Sequence, residues 1–174
     1  MINSTNAGCT PAMSEALLKK ILEGAIKIEE ESYALYVKAQ GIAKLPSSKA
    51  LLSELAEAEL GHKEKLLAIM EKSASVYWAS VSELGSETGE IEDLKIVDYM
   101  PDATLSEDTD YPTMLIYAGK REKMTHEHYR SLAEGPFAKY FPQASELFSK
   151  LAEEELVHKN RIEREYTERV LKKR

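Results

Sequence analysis

Cysteine is almost missing from this 174-residue chain, with Cys9 standing alone. That excludes an internal disulfide, and it excludes a zinc ribbon, a rubredoxin-type iron centre or an iron–sulfur cluster built from the chain's own thiolates. Any metal must rest on carboxylates and imidazoles. An excess of positive charge is missing too: lysine and arginine total 23 against 30 acidic residues, a formal charge of −7 with a pI near 5.3. Such a balance argues against a nucleic-acid footprint and against binding to an anionic membrane surface. No run approaches the roughly 18 apolar residues needed to span a bilayer, and the opening MINSTNAGCTPAMSE lacks the apolar core of a secretory signal. The expectation is a cytoplasmic protein with no nucleic-acid or membrane partner. What is present, 43% hydrophobic and 30% charged residues, is enough to bury one sizeable core.

Residues 1–13 mix Asn, Ser, Thr, Gly and Pro without periodicity and read as a disordered tail. Residues 14–174 read as a single domain. Apolar residues then recur at three-and-four spacing through Leu18, Ile21, Leu22, Ala25, Ile28, Leu35 and Ala39, which predicts a first helix over about 14–43 with Ser14 as its cap. Pro46 breaks the chain, Ser47 or Ser48 offers a cap, and Leu51, Leu52, Leu55, Leu66, Leu67 and Met70 trace a second helix over 47–72. From 74 to 111 the pattern dissolves into Gly85, Gly89, Pro101 and five aspartates, a long connection with one short helix around Val76–Leu84. Asp110 and Pro112 open a third helix over 112–134, whose stripe is Leu115, Ala118, Met124 and Leu132, and Gly135-Pro136 ends it. Pro142 opens a fourth over 142–172. The methionines read as core filler, and Tyr77 and Trp78 as anchors pinning the connection to the helices.

An internal repeat sets the architecture. LSELAEAELGHKEKL (52–66) lies over FSKLAEEELVHKNRI (148–162) at an offset of 96, and Pro46 falls on Pro142 at the same offset. The first and third helices align at an offset of 93, placing Ala25, Lys27, Glu29 and Tyr36 on Ala118, Lys120, Glu122 and Tyr129, and Ser32 on Thr125. The chain is two copies of a helical hairpin. A 25-residue helix is about 38 Å long, and some dozen extended residues at about 3.3 Å each run back along it. The 74–111 connection is therefore long enough to cross a bundle from end to end. An all-α four-helix bundle with a crossover between its second and third helices, the ferritin-like arrangement, is the expected fold.

Chemistry concentrates in the repeat. Glu59 and His62, like Glu155 and His158, are three apart and lie on adjacent turns of one helix face, able to grip one ion. Glu-x-x-His alone is a weak motif, and its bland reading is a solvated face rich in Glu and Lys. The duplicated context outweighs that reading: both matches fall at the same place in two repeats, between core leucines, and the other helices carry glutamates at matched positions, Glu29 and Glu122. Within the run Glu29-Glu30-Glu31, the alignment with Glu122 and the seven-residue step to Tyr36 select Glu29. Four inward carboxylates are too costly as bare anions and need a cation. Four glutamates and two histidines offer two divalent ions a mixed oxygen and nitrogen set that suits iron or manganese better than a closed zinc site or a calcium cage.

These residues resemble the ferritin-like superfamily and, within it, the rubrerythrin-related di-iron proteins, over about residues 14–170. The resemblance implies two iron ions per chain, with manganese or zinc as substitutes. Glu29 and Glu122 would be ligands from the first and third helices, and Glu59 with His62 and Glu155 with His158 would complete the two sites, some glutamates bridging the metals. It also implies that Tyr36 and Tyr129, each seven residues after a glutamate, donate hydrogen bonds to the ligand carboxylates. The chain departs from that family pattern in two places. Thr125 stands where a second glutamate on the third helix is usual, a carboxylate linked to a metal shift between redox states, and His126 is the one candidate for its place. Paired Cys-x-x-Cys motifs of a rubredoxin domain are absent from these 174 residues, so electrons would come from a separate rubredoxin-type donor.

The function this implies is a non-haem di-iron oxidoreductase that reduces hydrogen peroxide or dioxygen in oxidative defence, working as a homodimer or small homo-oligomer. The remaining pattern, one glutamate plus one Glu-x-x-His per half, is similar to bacterioferritin. The alternative is therefore ferroxidation or iron storage in a large hollow assembly.

Overall fold

The computed structural model describes residues 11–71, 93–101, 103–136 and 138–172. Four long helices carry it: α1 (Pro11–Ile42), α2 (Pro46–Met70), α3 (Tyr111–Glu134) and α4 (Pro142–Tyr166). A short 3-10 helix, Ile96–Tyr99, precedes α3, and a π-helical turn, Thr167–Leu171, follows α4. There is no strand among the described residues, and no helix there is long and apolar enough to cross a membrane.

Prolines set several helix starts, because their fixed φ suits a first turn and their missing N–H is one that a helix leaves unpaired anyway. Among the described residues α1 is already helical at Pro11, so Ser14 lies inside the helix and does not cap it, and helix extends into the last residues of the expected tail. Pro46 opens α2 after Leu45 with no side-chain cap. Ser47 and Ser48 sit within the first turn, and the buried Ser48 hydroxyl instead donates to Glu165 on α4. Asp110 does cap α3, accepting from the Thr113 amide at 2.9 Å. The Gly135 amide closes the other end onto Ser131 O.

Contact register fixes the topology. Across α1 and α3, Tyr36 meets Glu122 and residue 29 meets 129, so numbers rise on one helix as they fall on the other. Ser48 with Glu165, Glu54 with Arg161 and His62 with Glu154 show the same antiparallel relation for α2 and α4. The three-residue turn 43–45 makes α1 and α2 antiparallel as well. Hence α2 and α3 run the same way, and the chain between them must travel the length of the bundle. This is the ferritin-like four-helix arrangement of two duplicated hairpins. Residues 72–92 of the connection, with the expected short helix at Val76–Leu84 and the anchors Tyr77 and Trp78, lie outside the described residues.

Buried apolar residues gather in two clusters, one toward each end of the bundle. One holds Leu35, Leu52, Leu55, Met114, Leu115 and Ile162, and the other holds Leu22, Leu66, Leu147, Phe148 and Leu151. Every helix passes from one cluster to the other through buried charge: Leu55 to Leu66 by way of Glu59 and His62, and Ile162 to Leu151 by way of His158 and Glu155. Met124 departs from the expected stripe, being 70% exposed, whereas Met114 is fully buried. At position 124 the helix face has rotated away from the packed seam.

Candidate metal centre

Six polar residues fill the belt between the two apolar clusters: Glu29 from α1, Glu59 and His62 from α2, Glu122 from α3, and Glu155 and His158 from α4, each at most 6% exposed. They form two overlapping groups. Glu29, Glu59, His62 and Glu155 make one, and Glu59, Glu122, Glu155 and His158 the other, the potential ligand atoms within each lying within 4.8 Å of one another. Glu59 and Glu155 belong to both and so stand where bridging carboxylates would. All six sequence-predicted ligand positions therefore meet at one place.

The geometry repeats across the pseudo-two-fold. His62 Nδ1 lies 3.0 Å from Glu155, 3.5 Å from Glu59 and 3.6 Å from Glu29. His158 Nδ1 lies 3.2 Å from Glu59, 3.5 Å from Glu155 and 3.7 Å from Glu122. The imidazoles stack with centroids 5.4 Å apart and planes 15° from parallel. The tyrosines act crosswise: Tyr36 on α1 donates to Glu122 on α3 at 2.5 Å, and Tyr129 on α3 donates to Glu29 on α1. Each phenol serves the carboxylate of the other half.

Burial raises Glu29 to about 8 and Glu122 well above the carboxyl range. For Glu59 and Glu155 burial works in the same direction, but the close approach of the two imidazoles, with Glu29 beside Glu59 and Glu122 beside Glu155, holds both below the usual value. Burial alone would lower His62 and His158, and the surrounding carboxylates reverse that, holding both well above the ordinary imidazole value. Burial and the neighbouring carboxylates also raise both tyrosines, so each keeps its proton and donates. Without metal these shifts favour an arrangement with no net charge, in which ionised Glu59 and Glu155 face two imidazolium ions and Glu29 and Glu122 hold their protons.

A cation fits this place on its chemistry. Buried polar atoms are hydrogen-bonded in the great majority of cases. Here Glu29 Oε2, both oxygens of Glu59, Glu122 Oε2, Glu155 Oε1 and the Nδ1 atoms of His62 and His158 have no hydrogen-bond partner, and all belong to the two groups. Oxygen-rich coordination with one imidazole per ion suits divalent iron or manganese.

His126 is not part of either group. Its Nδ1 donates to the Ala152 carbonyl at 2.6 Å, tying α3 to α4, so it does not take the place of the usual extra glutamate. Thr125, also buried, turns its hydroxyl back to Arg121 O at 3.1 Å and adds no ligand. Two further residues frame the centre and were not singled out from sequence. Glu154 lies 2.5 Å from the outer nitrogen, Nε2, of His62. Arg121 stitches α3 to α1 beside Glu122, donating to Ser32 Oγ and Ile28 O at 2.8 Å each. Next to it a cavity of about 510 Å³, lined by Ile28, Arg121, Thr125 and Met124, opens on the α1–α3 seam. The available signal was mismatch in the repeat: Glu154 falls on Ala58 and Arg121 on Ile28.

No curated protein and no solved structure gave a significant match. The family model described as rubrerythrin matches residues 20–87 and 113–174, which take in both hairpins and the first part of the crossover. That match takes in all six residues of the buried belt, and the chain belongs to the rubrerythrin family.

Proposed function

We propose that the protein is a non-haem di-iron oxidoreductase of rubrerythrin type, reducing hydrogen peroxide or dioxygen in the cytoplasm with electrons from a separate rubredoxin-type donor. The observation that carries this reading is the pair of four-residue groups sharing Glu59 and Glu155, whose unpartnered atoms converge between two apolar clusters. Two bound ferrous ions would supply the two electrons that take hydrogen peroxide to water. Glu29, Glu59, Glu122, Glu155, His62 and His158 would hold them, and Glu59 and Glu155 would keep the pair close. Tyr36 and Tyr129 would fix the orientation of Glu122 and Glu29, leaving their second oxygens free to face an ion. The apolar clusters on either side limit stray water, and the seam at Ile28 and Thr125 offers a small oxidant a route inward. A homodimer or small homo-oligomer is the assembly this reading expects.

The test is metal content with an absorption spectrum before and after peroxide. About two irons per chain and a ferric band that responds to peroxide support the reading. NADH-coupled peroxide reduction through a reductase and rubredoxin should be lost in Glu122→Ala, and unchanged activity there would sink the assignment.

One observation favours ferroxidation or iron storage of bacterioferritin type as a second reading. Thr125 is bonded to its own helix, so each half offers one glutamate and one Glu-x-x-His and nothing more. Light scattering separates the two, because storage needs a large hollow assembly and far more than two irons per chain.

A further inference from the structure

The two halves of the centre differ at one outer contact. We infer from it that the two metal positions are unequal, the His62 position binding a divalent ion more tightly because Glu154 holds that imidazole from behind. This rests on the two-metal reading above and concerns only how the chain's own residues grade the two positions.

Toward the centre the halves match closely: the shortest carboxylate approach to Nδ1 is 3.0 Å for His62 and 3.2 Å for His158. Behind the rings, among the described residues, they do not match. His62 Nε2 lies 2.5 Å from Glu154 Oε2. A carboxylate that accepts the Nε2 proton fixes the tautomer, leaves the Nδ1 lone pair facing the ion, and raises the ring's donor strength. Glu154 is well set for this. It is partly buried, its side chain 33% exposed, and Lys65 Nζ lies 3.7 Å from it. The 96-residue offset puts Ala58 at the matching place beside His158, where a methyl group accepts no hydrogen bond.

Loss of such an outer partner lowers metal affinity by about 10–100-fold in comparable sites. The experiment is an anaerobic titration of the full-length metal-free protein with Co(II), followed by visible absorption and calorimetry. The wild type should fill in two resolved steps separated by roughly that factor. Glu154→Ala should weaken the tight step until the two merge and leave the weak step in place. Ala58→Glu should tighten the weak step, a gain that general loosening of the fold cannot imitate. His62→Ala should remove the tight step and His158→Ala the weak one. Two indistinguishable steps in the wild type, or equal weakening of both steps in Glu154→Ala, would overturn this inference alone. No cobalt bound at all would overturn the two-metal reading together with it.

Discussion

Tyr129 governs what Glu29 can do. It is fully buried, donates to Glu29 across the α1–α3 seam, and packs on Phe148 with ring centroids 5.4 Å apart. Tyr36 does the same for Glu122. The seven-residue spacing correctly puts tyrosine and glutamate on one face of each helix. It could not show that each tyrosine serves the opposite helix, because that pairing is set by interhelical register and not by position along one helix. Phenylalanine at either position keeps the ring packing and removes only the donor. Tyr129→Phe leaves Glu29 without that bond, and a buried acceptor stripped of its partner costs about 1–3 kcal/mol. Urea unfolding of the metal-free protein should show a loss of that size for Tyr129→Phe and for Tyr36→Phe. Unfolding curves that overlay the wild type would mean that the phenols do not support the carboxylates.

The end of the crossover is held by charge at the level of whole elements. Lys159 on α4 is buried and donates to Asp93 at 2.7 Å and to Glu163 at 2.9 Å. Glu163 also accepts from the Val97 amide at 2.6 Å, and Asn160 takes the Leu94 amide. Val97 then reaches α3 at Gly119, where an added Cβ would lie 3.4 Å from the valine methyl. In the repeat Lys159 matches Lys63, yet Lys63 makes only a half-exposed bridge to Glu30. The sequence showed two equivalent lysines, and the structure separates them because residues 93–97 of the crossover pack on α4 beside Lys159. Lys159→Ala strands Glu163 in the interior and should cost about 3–5 kcal/mol. Lys63→Ala should cost no more than about 1 kcal/mol. Chemical denaturation of the two variants tests this, and equal losses would dismiss the pin. Gly119→Ala meets only ordinary contacts and improves helix propensity, so stability should hold or rise by up to about 1 kcal/mol.

For the molecule as a whole, duplication made the fold legible: a repeat with two Glu-x-x-His copies implies two hairpins, and 38 residues between them, 74–111, imply a crossover. The six belt residues were legible for the same reason. Helix starts were not, since Ser14 lies inside α1 and Pro46 displaced the serine cap of α2, and neither were Glu154 and Arg121, which break the repeat and act across helices. The split core also sets how the metal-free bundle responds to pH. Folding raises Glu29 to about 8 and lifts Glu122, His62 and His158 above their unfolded values. Between pH 4.5 and about 8 the folded state therefore binds more protons than the unfolded chain, and stability falls as pH rises through that window. Glu59 and Glu155 are lowered, so their contribution is present above the ordinary carboxyl value and is lost only as pH falls below it. Metal-free protein should thus be most stable near about pH 5 and melt progressively lower toward pH 8. Metal ligation needs deprotonated groups. Two divalent ions would displace one proton each from Glu29, Glu122, His62 and His158, four in all, and leave the belt neutral as before. The loaded protein should lose most of that pH dependence. Calorimetric titration near about pH 6 in two buffers of different ionisation enthalpy should count a release approaching two protons per ion. Binding without proton release would show that the belt is already ionised in the metal-free fold, with a net charge its apolar surroundings could not tolerate.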